Sequence, residues 1–339
     1  MLRTSITERY GIQHPFVGAG MGIIGMPPLV AAVSNAGGLG VLGAGLLPPD
    51  VVRQCVAGIR SMTDKPFGVN FLTQFTAPEH IDVVIEDAVP LVTFHWNELP
   101  TEYIKSLQAA GIPVWTQVGT VRMAVQAAEL GVDAIIVQGS EAGGHVRGEA
   151  SMAALLPAVA DAVGGTVALI AAGGIGDGRG AAAAFALGAD AVWVGTRLVA
   201  TVEASAHDEW KRRLVQAGPG DTKVTTLFGP EWPDAPFRVL RNRVVEEWAD
   251  KIDEISDEVR ASGPIGTTTI GADPYEMPKF SVMMPIPATT GDFEEMALAA
   301  GESVGVVHDI TTVADVVARM MADAEALITG RLAHLVQHD

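Results

Sequence analysis

The sequence predicts an α/β fold: a (β/α)₈ TIM barrel with an inserted, mostly helical lid segment after the eighth strand. Three observations lead there. Short apolar runs alternate with longer alanine- and valine-rich stretches of helical periodicity through about the first 200 residues. The apolar runs lack polar alternation, as strands buried on both faces do. Polar side chains gather where those runs end.

The strands are read at 15–20 (PFVGAG), 39–43 (LGVLG), 67–72 (FGVNFL), 91–96 (LVTFHW), 113–118 (PVWTQV), 134–139 (AIIVQG), 167–172 (VALIAA) and 191–196 (AVWVGT). Helical stretches lie between them, among them PPLVAAVSNAG, TVRMAVQAAELG and GRGAAAAFALGA. Such units count out a closed barrel, although an open doubly wound sheet has the same rhythm. The polar residues favour the barrel. Asn70, His95, Gln117, Gln138 and Glu141 all fall at or just beyond the carboxyl ends of their strands, where a barrel assembles its site.

After Thr196 the rhythm breaks. Residues 205–299 read as two or three helices with irregular connections that cap the barrel mouth, and TTVADVVARMMADAEALITGRL reads as an amphipathic helix closing the outer ring. The barrel is therefore assigned to 1–204 and 300–339, and the cap to 205–299.

Composition narrows the function. The chain has 339 residues, 48% of them apolar, and a formal charge of -18. That charge argues against nucleic acid or an anionic membrane as the main partner, while a local site can still take an anion. The single cysteine, Cys55, excludes an intramolecular disulfide and a multi-thiolate metal site; it sits in the amphipathic stretch PDVVRQCVAGIR and is read as core. The eight histidines show no metal-binding spacing. No apolar signal core or membrane-length run occurs, so a cytoplasmic protein is expected.

Two GxGxxG patterns, at Gly20–Gly25 and Gly38–Gly43, fail as dinucleotide fingerprints. The second flanks a strand, and the first lacks an acidic residue at the ribose distance. The glycines at Gly18, Gly20 and Gly22 instead suit a flat ligand lying against bare backbone, or simple turn chemistry. At the other end, Gly173 and Gly174 follow strand seven, and Gly195 and Thr196 follow strand eight. Two adjacent loops of this kind bind phosphate in many barrels. A phosphate-bearing ligand follows.

The segments GAGMG, LVAAVSNAGGLGVLGAG, KPFGVNFL, VTFHW, GSEAGGHVRG, AAGGIGDGRG and GADAVWVGTR, continued by PDAPFRVLRN and TTGDFEEMALAAGESVG, resemble the nitronate monooxygenase (2-nitropropane dioxygenase) family across nearly the whole chain. The resemblance implies an FMN-dependent oxidation of alkyl nitronates by dioxygen to a carbonyl compound and nitrite. The alternative it leaves is a flavin-dependent NAD(P)H reductase of a quinone or an acyl thioester. It implies that backbone at Gly20, Met21 and Gly22 faces the flavin, that Asn70 bonds its polar edge, and that Gln117 and Gln138 contact ring and ribityl chain. Gly173, Gly174, Gly195 and Thr196 correspond to the phosphate site, and Gly144 is counted with the cofactor residues. Some relatives carry lysine where this chain has Gln117, which leaves the redox tuning open.

His145 corresponds to the family's catalytic histidine, and imidazole can act as base or acid near neutrality. His95 either lines the substrate pocket or packs structurally. Glu141 either orients its loop, contacts flavin hydroxyls or stands in solvent. Trp96, Trp232 and Met283 are candidates for a lid or pocket, but large apolar side chains are more often core, and core is the reading taken. Expected partners are a small-molecule substrate and dioxygen, without nucleic acid, membrane or metal, and a homodimer is allowed for.

Overall fold

The computed structural model describes residues 2–96, 99–229, 231–270 and 273–335. The first helix, α1 (Ser5–Tyr10), starts at Thr4, whose hydroxyl accepts from Thr7 N, and closes the amino end of the barrel. The Tyr10 hydroxyl accepts from Trp115 Nε1 at 2.8 Å.

Strand–helix units then run in sequence: β1 (Phe16–Gly18) and α2 (Pro27–Asn35), β2 (Leu39–Gly43) and α3 (Pro49–Met62), β3 (Phe67–Leu72) and α4 (Pro78–Glu86). They continue with β4 (Val92–His95) and α5 (Thr101–Ala109), then β5 (Val114–Val118) and α6 (Val121–Glu129). After β6 (Ala134–Gln138) comes a two-residue strand, β7 (Gly144–His145), and then α7 (Met152–Val163). The last two units are β8 (Ala168–Ala172) with α8 (Gly178–Ala186) and β9 (Ala191–Val194) with the short α9 (Thr196–Val199).

The barrel closes in the order β1-β2-β3-β4-β5-β6-β8-β9. Pairing of β1 with β9, Val17 against Trp193, excludes the open sheet. Its interior is filled by Val17, Leu39, Val41, Trp115, Ile136 and Ile170, all almost fully buried. The outward strand residues, such as Phe16, Phe67, Val92 and Ile135, pack on the helices. Each fully buried side chain of this size contributes about 1.5–3 kcal/mol. Both strand faces are thus apolar, which is why the sequence shows unbroken hydrophobic runs. Cys55 lies buried on α3 as expected.

All eight barrel strands are parallel, so every strand's carboxyl end opens at one mouth.

The expectation of a mostly helical insertion needs correction. After β9 come α10 (Asp208–Gln216), β10 (Thr222–Thr225), β11 (Phe237–Leu240), α11 (Arg243–Trp248), α12 (Asp257–Arg260), β12 (Gly266–Ile270), β13 (Asp273–Met277) and β14 (Thr290–Gly291). With β7 they build two three-stranded sheets, β10-β11-β7 and β13-β12-β14. The strands were concealed for a physical reason. TKVT and GTTTI carry their β-propensity on threonine, which reads as polar, and FRVL runs directly into the helical RVVEEW. The segment has its own core around Phe228, Phe237, Val239, Val244 and Phe280.

The final helix, α13 (Val313–Ala326), packs against α8 and α2 and completes the outer ring. Its first turn is held by Glu203, both of whose carboxylate oxygens accept from Val313 N at 3.1 Å. Among the described residues, no helix is long and apolar enough to cross a membrane.

Candidate active site

Asn70 lies opposite Thr93 in the β3–β4 register. Its Nδ2 donates to Thr93 Oγ1 at 2.8 Å, and both residues are buried. The loop after β1 closes directly on this amide. A Cβ on Gly20 would sit 2.6 Å from Asn70 Cβ, so only glycine lets the chain pass there. Beyond it, no atom lies within 4 Å of a Cβ built on Gly22.

Gln117, near the end of β5, meets His95, the last residue of β4. Gln117 Nε2 and His95 Nε2 are 3.1 Å apart. An amide nitrogen only donates, so in this arrangement the imidazole nitrogen accepts. Burial pushes the His95 pKa down to about 3, with a further push from the charge on Arg147. His95 is therefore neutral at pH 7 and fixes the direction of the Gln117 amide.

The segment GSEAGGHVRG is not a free loop. Gly144 and His145 form an edge strand on β11, with Phe237 opposite His145 and Arg238 opposite Gly144. Gln138 binds the same segment from below. Its Nε2 donates to the His145 carbonyl at 2.9 Å, and its Oε1 accepts from Arg147 N at 3.2 Å. Both polar atoms of the Gln138 amide are thus engaged by backbone on the carboxyl side of the His145 ring.

Gly143 lies where two stretches of backbone cross. A Cβ there would lie 2.4 Å from Gly301 N and 2.5 Å from the Ala300 carbonyl carbon. The returning end of the insertion crosses over it. Gly144 has φ 76, a left-handed conformation that glycine adopts without strain. Glu141 also serves the scaffold: its carboxylate accepts from Met152 N at 2.9 and 3.1 Å, on the first turn of α7. Its carbonyl accepts from Glu302 N at 2.9 Å.

The imidazole of His145 sits in an aromatic cage. Ring centroids lie 3.8 Å from Trp232, 4.5 Å from Phe237 and 5.5 Å from Trp96. Nε2 is buried without a hydrogen-bond partner among the described residues. Burial pushes its pKa down to about 3, and the charge on His95 adds to the effect. A neutral imidazole with an unfilled nitrogen can accept a proton or donate one to a bound ligand, depending on tautomer.

Trp96 and Trp232, read from sequence as core, are walls of this cage. Trp96 has φ 73, an uncommon value for so bulky a residue. Such strain persists where surrounding structure imposes it and collects at functional sites. Met283, the third residue of that group, packs on the apolar core. The signal for the cage residues existed in the sequence only as aromatic residues, Trp96 at the end of a strand and Trp232 and Phe237 in the insertion, with nothing to say which way they face.

Outside the cage lies a cleft of about 510 Å³, bordered by Gln74, Phe75, Trp96, Arg147, Glu231 and Trp232, among others. At the opposite side of the mouth, Gly173 (φ 99) and Gly174 (φ 72) make a left-handed turn directly after β8. Gly195 and Thr196 follow β9. Thr196 Oγ1 accepts from Gly301 N at 2.9 Å, so its own proton is free to donate. Gly173–Gly174 and Gly195–Thr196 thus follow the carboxyl ends of the neighbouring strands β8 and β9. Among the described residues, no cluster of histidine, cysteine or carboxylate could hold a metal ion.

The sequence matches the nitronate monooxygenase family over residues 3–80 and 72–323. It is 34% identical, over 95% of this chain and 96% of the relative, to (3aS,4S,5R,7aS)-5-hydroxy-7a-methyl-1-oxo-octahydro-1H-indene-4-carboxyl-CoA dehydrogenase of Rhodococcus jostii strain RHA1. A probable nitronate monooxygenase of Bacillus subtilis strain 168 is 33% identical over 65% of this chain and 76% of its own. Among solved structures, FabK of Thermotoga maritima shares 34% identity and a TM-score of 0.79, covering 99% of this chain and 100% of FabK. A match that runs through the barrel and most of the insertion settles the kinship: the chain belongs to the nitronate monooxygenase family of oxidoreductases.

Proposed function

We propose that this protein is a flavin-dependent dehydrogenase of an alicyclic acyl thioester, with FMN as its flavin. The observation that carries the reading is the cleft beside His145. At about 510 Å³, with Phe75, Trp96 and Trp232 among its walls, it falls in the size range of pockets for sizeable organic ligands. A small alkyl nitronate would leave most of it empty. The Rhodococcus relative, similar over nearly its full length, is named for a bicyclic carboxyl-CoA substrate.

The residues present fit a flavin mononucleotide. The backbone at Gly22, with no atom within 4 Å of a Cβ built there, offers a bare surface for a flat ring, and Asn70 and Gln117 offer neutral amides beside it. The turn at Gly173–Gly174 and the Thr196 hydroxyl offer donors for one phosphate. When bound, the flavin supplies the electron acceptor.

The chain's own residues do the rest. The aromatic cage excludes water and keeps His145 neutral at pH 7. His145 Nε2 takes the proton α to the thioester carbonyl, which is acidic because its anion is delocalised onto oxygen. Gln138 donates to the His145 carbonyl and accepts from Arg147 N, which anchors the backbone on the carboxyl side of that ring.

A second reading, oxidation of an alkyl nitronate by dioxygen, is favoured by the likeness to the Bacillus protein, and an unprotonated imidazole is equally suited to deprotonating a nitroalkane. Anaerobic stopped-flow absorbance of the yellow holoenzyme separates the two. Rapid bleaching by an alicyclic acyl-CoA, with slow bleaching by propionate-3-nitronate, supports the dehydrogenase. The reverse order supports the nitronate reading, and rapid bleaching by NADPH alone, ahead of both, defeats both.

A further inference from the structure

The cleft holds two polar groups that the chemistry at His145 does not use. One is Gln74, whose Oε1 is buried without a hydrogen-bond partner among the described residues. A buried acceptor left unmatched is destabilising, so such an atom points to a donor supplied by a ligand. The other is Arg147, two residues beyond His145. Its backbone N–H is tied to Gln138, while its guanidinium carbon stands 5.3 Å from the centre of the Trp96 ring.

Arg147 is exposed, and among the described residues it forms no ion pair. Its acidic neighbours in the cleft differ. Glu231 is already engaged by Ser281 Oγ at 2.6 Å, Val282 N at 3.0 Å and the Tyr275 hydroxyl at 3.2 Å. Asp234 also borders the cleft, and its charge opposes a polyphosphate lying along the whole length. One oxyanion at Arg147 is compatible with both.

A ligand that suits this pair carries an N–H or O–H donor and, further along, an anionic oxygen. An alkyl nitronate has the anion without the donor. We propose that Gln74 and Arg147 form the subsite for the 4′-phosphopantetheine arm of an acyl thioester, Gln74 Oε1 accepting an amide N–H and Arg147 binding a phosphate oxygen. This rests on the acyl-thioester reading of the site. Coenzyme A and an acyl-carrier protein share that arm, so the chemistry names both sources.

The test is calorimetric titration of the holoenzyme with coenzyme A, 4′-phosphopantetheine and pantetheine, in the wild type and in the variants Arg147→Met and Gln74→Leu. Arg147→Met is expected to weaken the two phosphorylated probes roughly tenfold and leave pantetheine unchanged, since a charge-assisted contact is lost. Gln74→Leu is expected to weaken all three roughly fivefold. Coenzyme A binding more tightly than 4′-phosphopantetheine supports the proposal with the free coenzyme as source; equal binding supports it with a carrier protein. Wild-type binding that neither variant alters overturns the subsite and leaves the thioester reading standing. Wild type that binds no probe overturns both. Melting temperatures within a few degrees of wild type establish that the variants are folded.

Discussion

The imidazole of His145 and the indole of Trp232 lie 3.8 Å apart, centroid to centroid, with their planes inclined by 30°. One ring comes from the barrel's sixth strand–helix connection and the other from the insertion. Their contact is what removes water from the histidine, and it sets the ionisation of the site.

Replacing Trp232 with alanine should therefore hydrate His145 and raise its pKa from about 3 toward the ordinary 6.5. In the wild type, kcat/KM should be flat from pH 5 to pH 8 as far as this group is concerned. The variant should show a new acidic limb near pH 6, with stability lowered by about 3 kcal/mol for the lost ring. A pH–rate profile checks this. A flat profile in the variant would remove the indole from the account.

Both depressed histidines also predict how stability varies with pH. Below 6.5 the unfolded chain takes up protons that native His95 and His145 refuse, their pKa values being about 3. Stability is then complete above pH 6.5 and is lost as pH falls toward 3, with a slope of about 1.4 kcal/mol per pH unit for each histidine. Urea unfolding at pH 7, 6 and 5 measures the slope. His145→Leu should roughly halve it.

Two glycines offer a matched comparison. Gly143→Ala drives a methyl group into the backbone of Ala300 and Gly301, and should lower stability by about 1–3 kcal/mol while displacing His145. Gly164→Ala meets no atom within 4 Å and carries only the strain of φ 60, about 1 kcal/mol. Activity should fall in the first and persist in the second. Equal losses in both would mean that the crossing at Gly143 is unimportant.

Cys55 is buried, and burial raises its thiol pKa. A thiolate-selective reagent should leave it unmodified in the native protein and label it fully in denaturant. Labelling of native protein at the denatured rate would contradict its place in the core.

The barrel was legible because its chemistry is repetitive. Runs such as AIIVQG and VALIAA are apolar on both faces, and their ends carry the polar groups. The site was legible in its residue types and only partly in its geometry. The His145 ring lies among Trp96, Trp232 and Phe237, its Nε2 without a hydrogen-bond partner among the described residues. Gln138 turned out to hold backbone, and Glu141 the first turn of α7. An amide or a carboxylate can bind a ligand or a main-chain group equally well, and sequence does not record which is nearer. The insertion hid most, since its strands are short and threonine-rich, and its aromatics became visible as cage walls only once β11 was seen beside β7.

That pairing has a consequence for how such enzymes diversify. The histidine's own sheet is completed by β10 and β11, Arg238 donates to the Ser140 carbonyl at 2.8 Å, and Gly301 N reaches the hydroxyl of Thr196. The insertion is not a cassette that could be exchanged between relatives to graft a new specificity. A chimera that imports it whole would also import half the mounting of His145, so new substrates are better sought by altering side chains on the cleft while the β7–β11 seam is left untouched.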